Sequence, residues 1–169
     1  MSGIYIHIPF CKQKCHYCDF HFSVSLRHKK EFILALLKEI QLRKSLDQKI
    51  DTIYFGGGTP SLLDEKELNL IMNEIYKNFS IHENPEITLE ANPDDLSVEK
   101  LKIVKNANIN RLSIGVQSFH DDELHLMNRS HTANEAINAI ENAQNIGFQN
   151  IFVTLLLKVV YRFRIKTLL

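Results

Sequence analysis

The chain has 169 residues, 44% hydrophobic and 24% charged, which is enough to enclose one core. Its 20 Lys and Arg balance 20 Asp and Glu, so net charge gives no reason to expect nucleic acid or an anionic membrane as the main partner. No apolar run is long enough to span a membrane, and the first apolar stretch contains His7 and Pro9 and lacks the basic leader of a signal peptide.

In chain order, the first predicted strand is "IYIHI", from Ile4. Directly after it, "PFCKQKCHYCDF" holds all 3 cysteines, Cys11, Cys15 and Cys18, spaced C-x-x-x-C-x-x-C. An odd, clustered set without a secretion signal points to the reducing cytoplasm and to metal chemistry rather than disulfides. An amphipathic segment from about Lys29 to Lys44 precedes the second strand, "DTIYFGG" from Asp51, which runs into "GGGTP". Leu68, Ile71, Met72, Ile75 and Phe79 then recur at helical spacing behind Asp64, a suitable N-cap. The third strand is "EITLEA" from Glu86, stopped by Pro93 in the turn "NPDD". The charges of "SVEKLKIVKN" read as a solvated helix face, and "RLSIGV" from Arg111 is the fourth strand. Thr132 and Glu135 of "TANE" fit a capping box for a helix closing at Gly147, before the fifth strand, "NIFVTLLL" from Asn150.

Strands alternating with helices predict an α/β fold built on a parallel sheet. The cysteines, "GGGTP", "EANP" and "GVQS" each fall at the end of a predicted strand. Ligands bind beyond the carboxyl ends of such strands, so these tips converge on one rim.

Three thiolates suit an iron–sulfur cluster that keeps one iron open for a small molecule. Zinc with His16 or His21 as fourth ligand is the competing reading. His7, His21, His28, His82 and His120 otherwise lack metal-like partner spacing and read as packing or surface residues.

"C-x-x-x-C-x-Y-C" after the first strand and "GGGTP" after the second resemble the radical S-adenosylmethionine (SAM) superfamily. "YIHIPFC", "FGGGTPSLL", "LEANP", "RLSIGVQSF" and "LHLMNRSH" are closer still to its oxygen-independent coproporphyrinogen III oxidase group, from about Tyr5 to Ile151. The resemblance implies a [4Fe–4S] cluster on Cys11, Cys15 and Cys18, with SAM chelating the open iron. It implies Tyr5 beside SAM, the Gly57, Gly58 and Thr59 backbone along the methionine moiety, and Glu90 accepting from its amino group or ribose. Gln117 would contact the ribose, and Arg129 would pair with the methionine carboxylate.

Two branches share these motifs. The oxidases, which decarboxylate two propionates of coproporphyrinogen III to give protoporphyrinogen IX, carry a further cysteine where this chain has Phe20, and an N-terminal extension before the first strand. Both departures favour the heme-chaperone branch, with heme as a further ligand and a heme-acceptor protein as partner; a porphyrinogen substrate is the alternative. The family builds a partial (β/α) barrel of six strands and a smaller C-terminal domain. Here only about five strands are predicted, so residues 1–157 read as the N-terminal part of the core, without a sixth strand or C-terminal domain. Residues 158–169 form an atypical basic tail with Lys158, Arg162, Arg164 and Lys166, read as a frameshift or gene-end artefact, with an interaction tail as the alternative. Thr154 stands where the family places an aspartate that reaches the SAM ribose, which predicts weak SAM binding and no turnover.

Overall fold

A computed structural model describes residues 2–156. Five parallel strands form one sheet in chain order: β1 (Gly3–Ile8), β2 (Ser45–Gly57), β3 (Phe79–Ala91), β4 (Arg111–Gln117) and β5 (Asn150–Leu155). Helices α1 (Lys29–Leu42), α2 (Glu65–Asn78), α3 (Val98–Asn106), α4 (Asp121–Leu126) and α5 (Ala133–Asn145) fill the crossovers. This is the partial (β/α) barrel expected from the sequence. Strands laid down in sequential order by crossovers of one hand keep their helices on one side of the sheet.

The alternation of each strand follows from that placement. Ile6 and Ile8 of β1, Ile53 and Phe55 of β2, Ile87 and Leu89 of β3, and Leu112, Ile114 and Val116 of β4 belong to one buried cluster. The same cluster takes Ile33 and Ile40 from α1, Leu68, Ile71 and Ile75 from α2, Leu101 and Val104 from α3, and Ala136, Ala139 and Ala143 from α5. Each large side chain so enclosed contributes about 1.5–3 kcal/mol relative to exposure. The residues between them, Tyr5, Tyr54, Glu90, Ser113 and Thr154, lie on the opposite face. That face is open: Tyr5 is 58% exposed and Phe152, beside Ser113 in the register, 52%.

Local signals mostly act as read. Asp64 caps α2 in a full capping box with Glu67, and Thr132 does the same for α5 with Glu135. Gly147 follows α5 with φ +94°, a conformation that suits glycine. Three expectations needed correction. Phe79, counted with the α2 stripe, is the first residue of β3. β2 and β3 both begin earlier than their apolar cores, pairing Ser45 with Phe79 and Lys49 with Ser80. The short helix α4 was not foreseen, because its "DDELHL" is too brief for periodicity to register. The predicted tail, 158–169, lies outside the described residues.

Replacing Thr132 by Ala removes an acceptor that takes the Glu135 N–H at 3.2 Å. Urea unfolding should register a loss of about 1 kcal/mol, and an unchanged midpoint would mean that α5 does not depend on its cap.

Candidate functional site

The carboxyl ends of the strands carry a cavity of about 240 Å3. Cys11, Cys15, Cys18, Gly57, Gly58, Thr59, Glu90, Gln117, Arg129 and Thr154 all line it. Tyr5 does not. It sits farther back on the open face, its ring stacked on Tyr54 at 6.0 Å and its hydroxyl 3.2 Å from His7 Nδ1. Tyr54 connects it to the cavity by donating to Glu90 at 2.7 Å. Burial first, then the hydrogen bond to the Glu90 carboxylate and its negative charge, pushes the Tyr54 phenol up to about 12.

The cysteine loop leaves β1 and is closed at its base by Cys11 N donating to Ser23 O at 3.0 Å and Ser23 N donating to Pro9 O at 2.8 Å. Its far side is held by residues more than a hundred positions later. His16 N donates to Met127 O at 3.1 Å, Gln13 Nε2 to Asn128 O at 2.7 Å, and Asn128 Nδ2 back to Lys14 O at 2.7 Å. Asn128 makes this double contact from φ +56°, a backbone region that Asn tolerates better than most residues. Lys12 completes the docking through Asp94, at 2.9 Å, and Asp95. The "NPDD" turn therefore does more than stop β3: it supplies the carboxylates that anchor the cysteine loop.

The glycine loop is packed against the cysteines just as tightly. A Cβ on Gly58 would lie 2.7 Å from Phe10 O and 3.0 Å from Cys11 Sγ, and Gly57 has φ +108°. Its amides are already committed: Gly57 N to Glu90 Oε2 at 3.2 Å, Gly58 N to Ile8 O at 2.8 Å and Thr59 N to Phe10 O at 2.7 Å. From behind, Lys29 Nζ donates to Leu62 O at 2.7 Å and Lys100 Nζ donates to Leu63 O. Burial, the largest influence on Lys100, lowers its pKa.

Arg129 is the most connected side chain at the rim. Its Nη2 donates to Asn92 Oδ1 at 2.8 Å and Gly115 O at 2.6 Å, and its Nη1 to Cys15 Sγ at 3.3 Å and Tyr17 Oη at 3.2 Å. Thr59 Oγ1 donates to Cys11 Sγ at 3.4 Å. The Cys11 thiol is pushed up by burial, eased by the Thr59 hydrogen bond, and raised again by the neighbouring Cys18 and Cys15. Burial raises the Tyr17 phenol well above its usual range, against the pull of Arg129. Two buried polar atoms of cavity-lining residues have no hydrogen-bond partner: Gln117 Oε1 and Arg129 Nε. Gln117 also holds φ +73°, strain that a merely structural strand end would not require.

This donor set fits a polynuclear iron–sulfur group. The three thiols surround a common space, yet among the described residues no three His, Cys, Asp or Glu side chains are placed to share a single metal ion. That spread suits one thiolate per iron. The zinc alternative finds little support, because His16 Nδ1 lies 2.9 Å from Leu126 O and neither His16 nor His21 lines the cavity. Sequence reasoning missed Asn92, Tyr17, Gly115 and the Lys12 anchors. Asn92 had a usable signal, since it ends "EAN" at a strand tip next to Pro93.

His131, next to this loop, is buried and its Nε2 lies 3.0 Å from Val116 O. A carbonyl only accepts, so Nε2 carries the proton. Burial and then Arg129 lower the His131 pKa, outweighing the Val116 bond. The fold therefore favours the neutral ring. Its contribution is intact above the ordinary value of about 6.5 and is lost as pH falls through the lower folded value. Urea unfolding at pH 8 and pH 5 should show this loss, and His131→Gln should flatten the difference.

A family model of the radical SAM superfamily matches residues 5–162. The chain is 42% identical over 160 residues to a heme chaperone HemW of Bacillus subtilis, covering 92% of this chain and 42% of that protein. It is 44% identical over 149 residues to the heme chaperone HemW of Buchnera aphidicola from Schizaphis graminum, covering 86% and 40%. Among solved structures, the coproporphyrinogen III oxidase HemN of Escherichia coli superposes with a TM-score of 0.83 at 25% identity, covering 99% of this chain and 41% of that one. The chain thus spans about two fifths of the length of these relatives.

Proposed function

This chain belongs to the radical SAM superfamily, whose cofactors are a [4Fe–4S] cluster and SAM, and from that membership we propose that it carries the cluster- and SAM-binding machinery of a heme chaperone. The observation that carries this reading is the gathering of Cys11, Cys15 and Cys18 on one cavity with Thr59, Glu90, Gln117 and Arg129. The relatives named as heme chaperones, at 42% and 44% identity, support the chaperone over the oxidase. So does Phe20, which lines the same cavity where the oxidases carry a further cysteine.

When bound, the reduced cluster supplies the electron that cleaves the sulfonium of SAM. The chain's own part is to bind and orient. Cys11, Cys15 and Cys18 would hold the cluster through their thiolates and leave it open toward SAM. Gly57, Gly58 and Thr59 spend their N–H groups on the protein, so what they offer a methionine moiety is carbonyl oxygen and close approach. Glu90 accepts from the amino group or ribose, and Gln117 Oε1 from a ribose hydroxyl. Arg129 Nε is the spare donor for a carboxylate. Tyr5 acts through Tyr54 and Glu90 rather than from the cavity wall. Heme, delivered to an acceptor protein in a reducing compartment such as the cytoplasm, is the cargo in this reading.

Anaerobic reconstitution of the full chain should give iron and sulfide in the ratio of a [4Fe–4S] cluster, with Cys15→Ser sharply reducing both. A colourless protein with stoichiometric zinc would sink the cluster assignment. Heme titration and an anaerobic coproporphyrinogen III assay separate the branches: heme binding without decarboxylation is expected, and conversion to protoporphyrinogen IX without heme binding reverses the choice. Thr154 lines the cavity but lacks a carboxylate's charge and reach toward a ribose diol. Thr154→Asp should tighten SAM binding by about tenfold to a hundredfold, as a charge-assisted hydrogen bond of about 1.5–3 kcal/mol would, measured by calorimetry on reconstituted protein.

A further inference from the structure

The hydrogen bonds around Arg129 have a direction that only one assignment satisfies. A guanidinium donates and never accepts, so the Asn92 atom facing Arg129 Nη2 at 2.8 Å is Oδ1. The Asn92 amide nitrogen must then face Thr59 Oγ1, at 3.4 Å, and donate to it. The Thr59 hydroxyl proton is turned to the remaining neighbour, Cys11 Sγ, at 3.4 Å. A second, direct arm runs from Arg129 Nη1 to Cys15 Sγ at 3.3 Å. Both arms start at one permanent positive charge and end on a sulfur that accepts. Neither is needed to close the cysteine loop, which is docked separately through Asn128, Lys12 and Ser23.

We propose that Arg129, directly at Cys15 and through the Asn92–Thr59 relay at Cys11, raises the reduction potential of the cluster that these thiolates hold. The inference rests on the cluster reading above. Reduction adds one electron to the cluster and its thiolates. Hydrogen bonds to sulfur and a nearby fixed cation stabilise that more negative state over the oxidised one. The electron comes from an external one-electron reductant, dithionite in the test below, and no bond in the protein is made or broken. Asn92 and Thr59 act in series, whereas the Arg129–Cys15 contact is parallel to them. Thr59 is 3% exposed, and valine fills nearly the same volume without the hydroxyl, so Thr59→Val removes the donor at Cys11 with little room for a water in its place.

The test is an EPR-monitored dithionite titration of the reconstituted full chain without SAM. Thr59→Val should lower the reduced-to-oxidised ratio at fixed potential by about threefold to tenfold, tenfold being about 59 mV for a one-electron couple. Thr59→Ser, which keeps the hydroxyl, should restore the wild-type value. Asn92→Leu should shift the ratio in the same direction, and the Thr59→Val/Asn92→Leu pair should move it no further than Thr59→Val alone, as expected of groups in series. Arg129→Met, which cuts both arms, should give the largest shift. A loss of packing alone would change iron content or stability and leave the potential of the remaining clusters where it was. Wild-type iron content with an unmoved potential in Thr59→Val and Asn92→Leu overturns the proposal. If Thr59→Val holds no iron, Asn92→Leu decides alone, since Asn92 touches no sulfur in this network. A wild-type chain that takes up no cluster overturns the cluster reading and this inference together, whereas normal clusters with unmoved potentials overturn only the inference.

Discussion

The single-sided placement of the helices is the constraint on which the rest of this molecule depends. Strands in the order β1 to β5, all parallel, can bury only one face beneath their crossovers. That face takes most of the large aliphatic side chains of the strands, from Ile6 to Val116. The alternate positions are then released from packing duty. They carry Tyr54, Glu90, Ser113, Gln117 and Thr154, which would be costly inside a core and are useful beside a polar ligand. A doubly wound sheet of the same strands would have covered this face with helices and left only the strand tips for chemistry.

Above that face, the site is assembled from segments far apart in sequence that share each other's polar groups. The cysteine loop borrows its rigidity from the Asn128 segment and from the Asp94 and Asp95 carboxylates. The glycine loop gives its amides to Ile8, Phe10 and Glu90, which locks it to β1 and β3. Buried carbonyls and amides are thereby satisfied without water, as a closed protein interior demands. Among the described residues, three buried side-chain polar atoms remain unsatisfied: Gln117 Oε1 and Arg129 Nε, whose residues line the cavity, and His131 Nδ1, two residues from Arg129 but outside the lining. Unpaired buried groups are expensive, so their concentration at one place is itself a functional signature.

Much of this was legible in the sequence because the information was local. The alternation in "RLSIGV", the Asp64 and Thr132 caps and the glycine after α5 each act within a few residues, and each appears in the structure at its expected place. The rim location of the cysteines and "GGGTP" followed from topology alone. What could not be read depended on contacts across long sequence separations. Asn92 becomes a relay only when Arg129 lies 2.8 Å away, and Lys12 becomes an anchor only because the β3 tip turns two carboxylates toward it. For Tyr5, a one-dimensional motif implies a place beside the ligand, and only the folded pleat shows that its ring stacks on Tyr54 and is not among the residues lining the cavity. Phe79 was misassigned for a related reason, since an apolar residue directly after a helix fits the helix period whether or not the helix continues.

The two lysines behind the glycine loop have a thermodynamic consequence. Lys29 and Lys100 reach from different helices to consecutive carbonyls, those of Leu62 and Leu63, so the turn that follows the glycine loop is held by protein donors without a ligand. A loop that must fold around its ligand loses conformational entropy at the moment of binding, whereas one already fixed incurs that loss when the chain folds. Association at this wall is therefore a matter of access and desolvation rather than of conformational search. The ordering cost sits in the stability of the whole domain, where α1 and α3 share it.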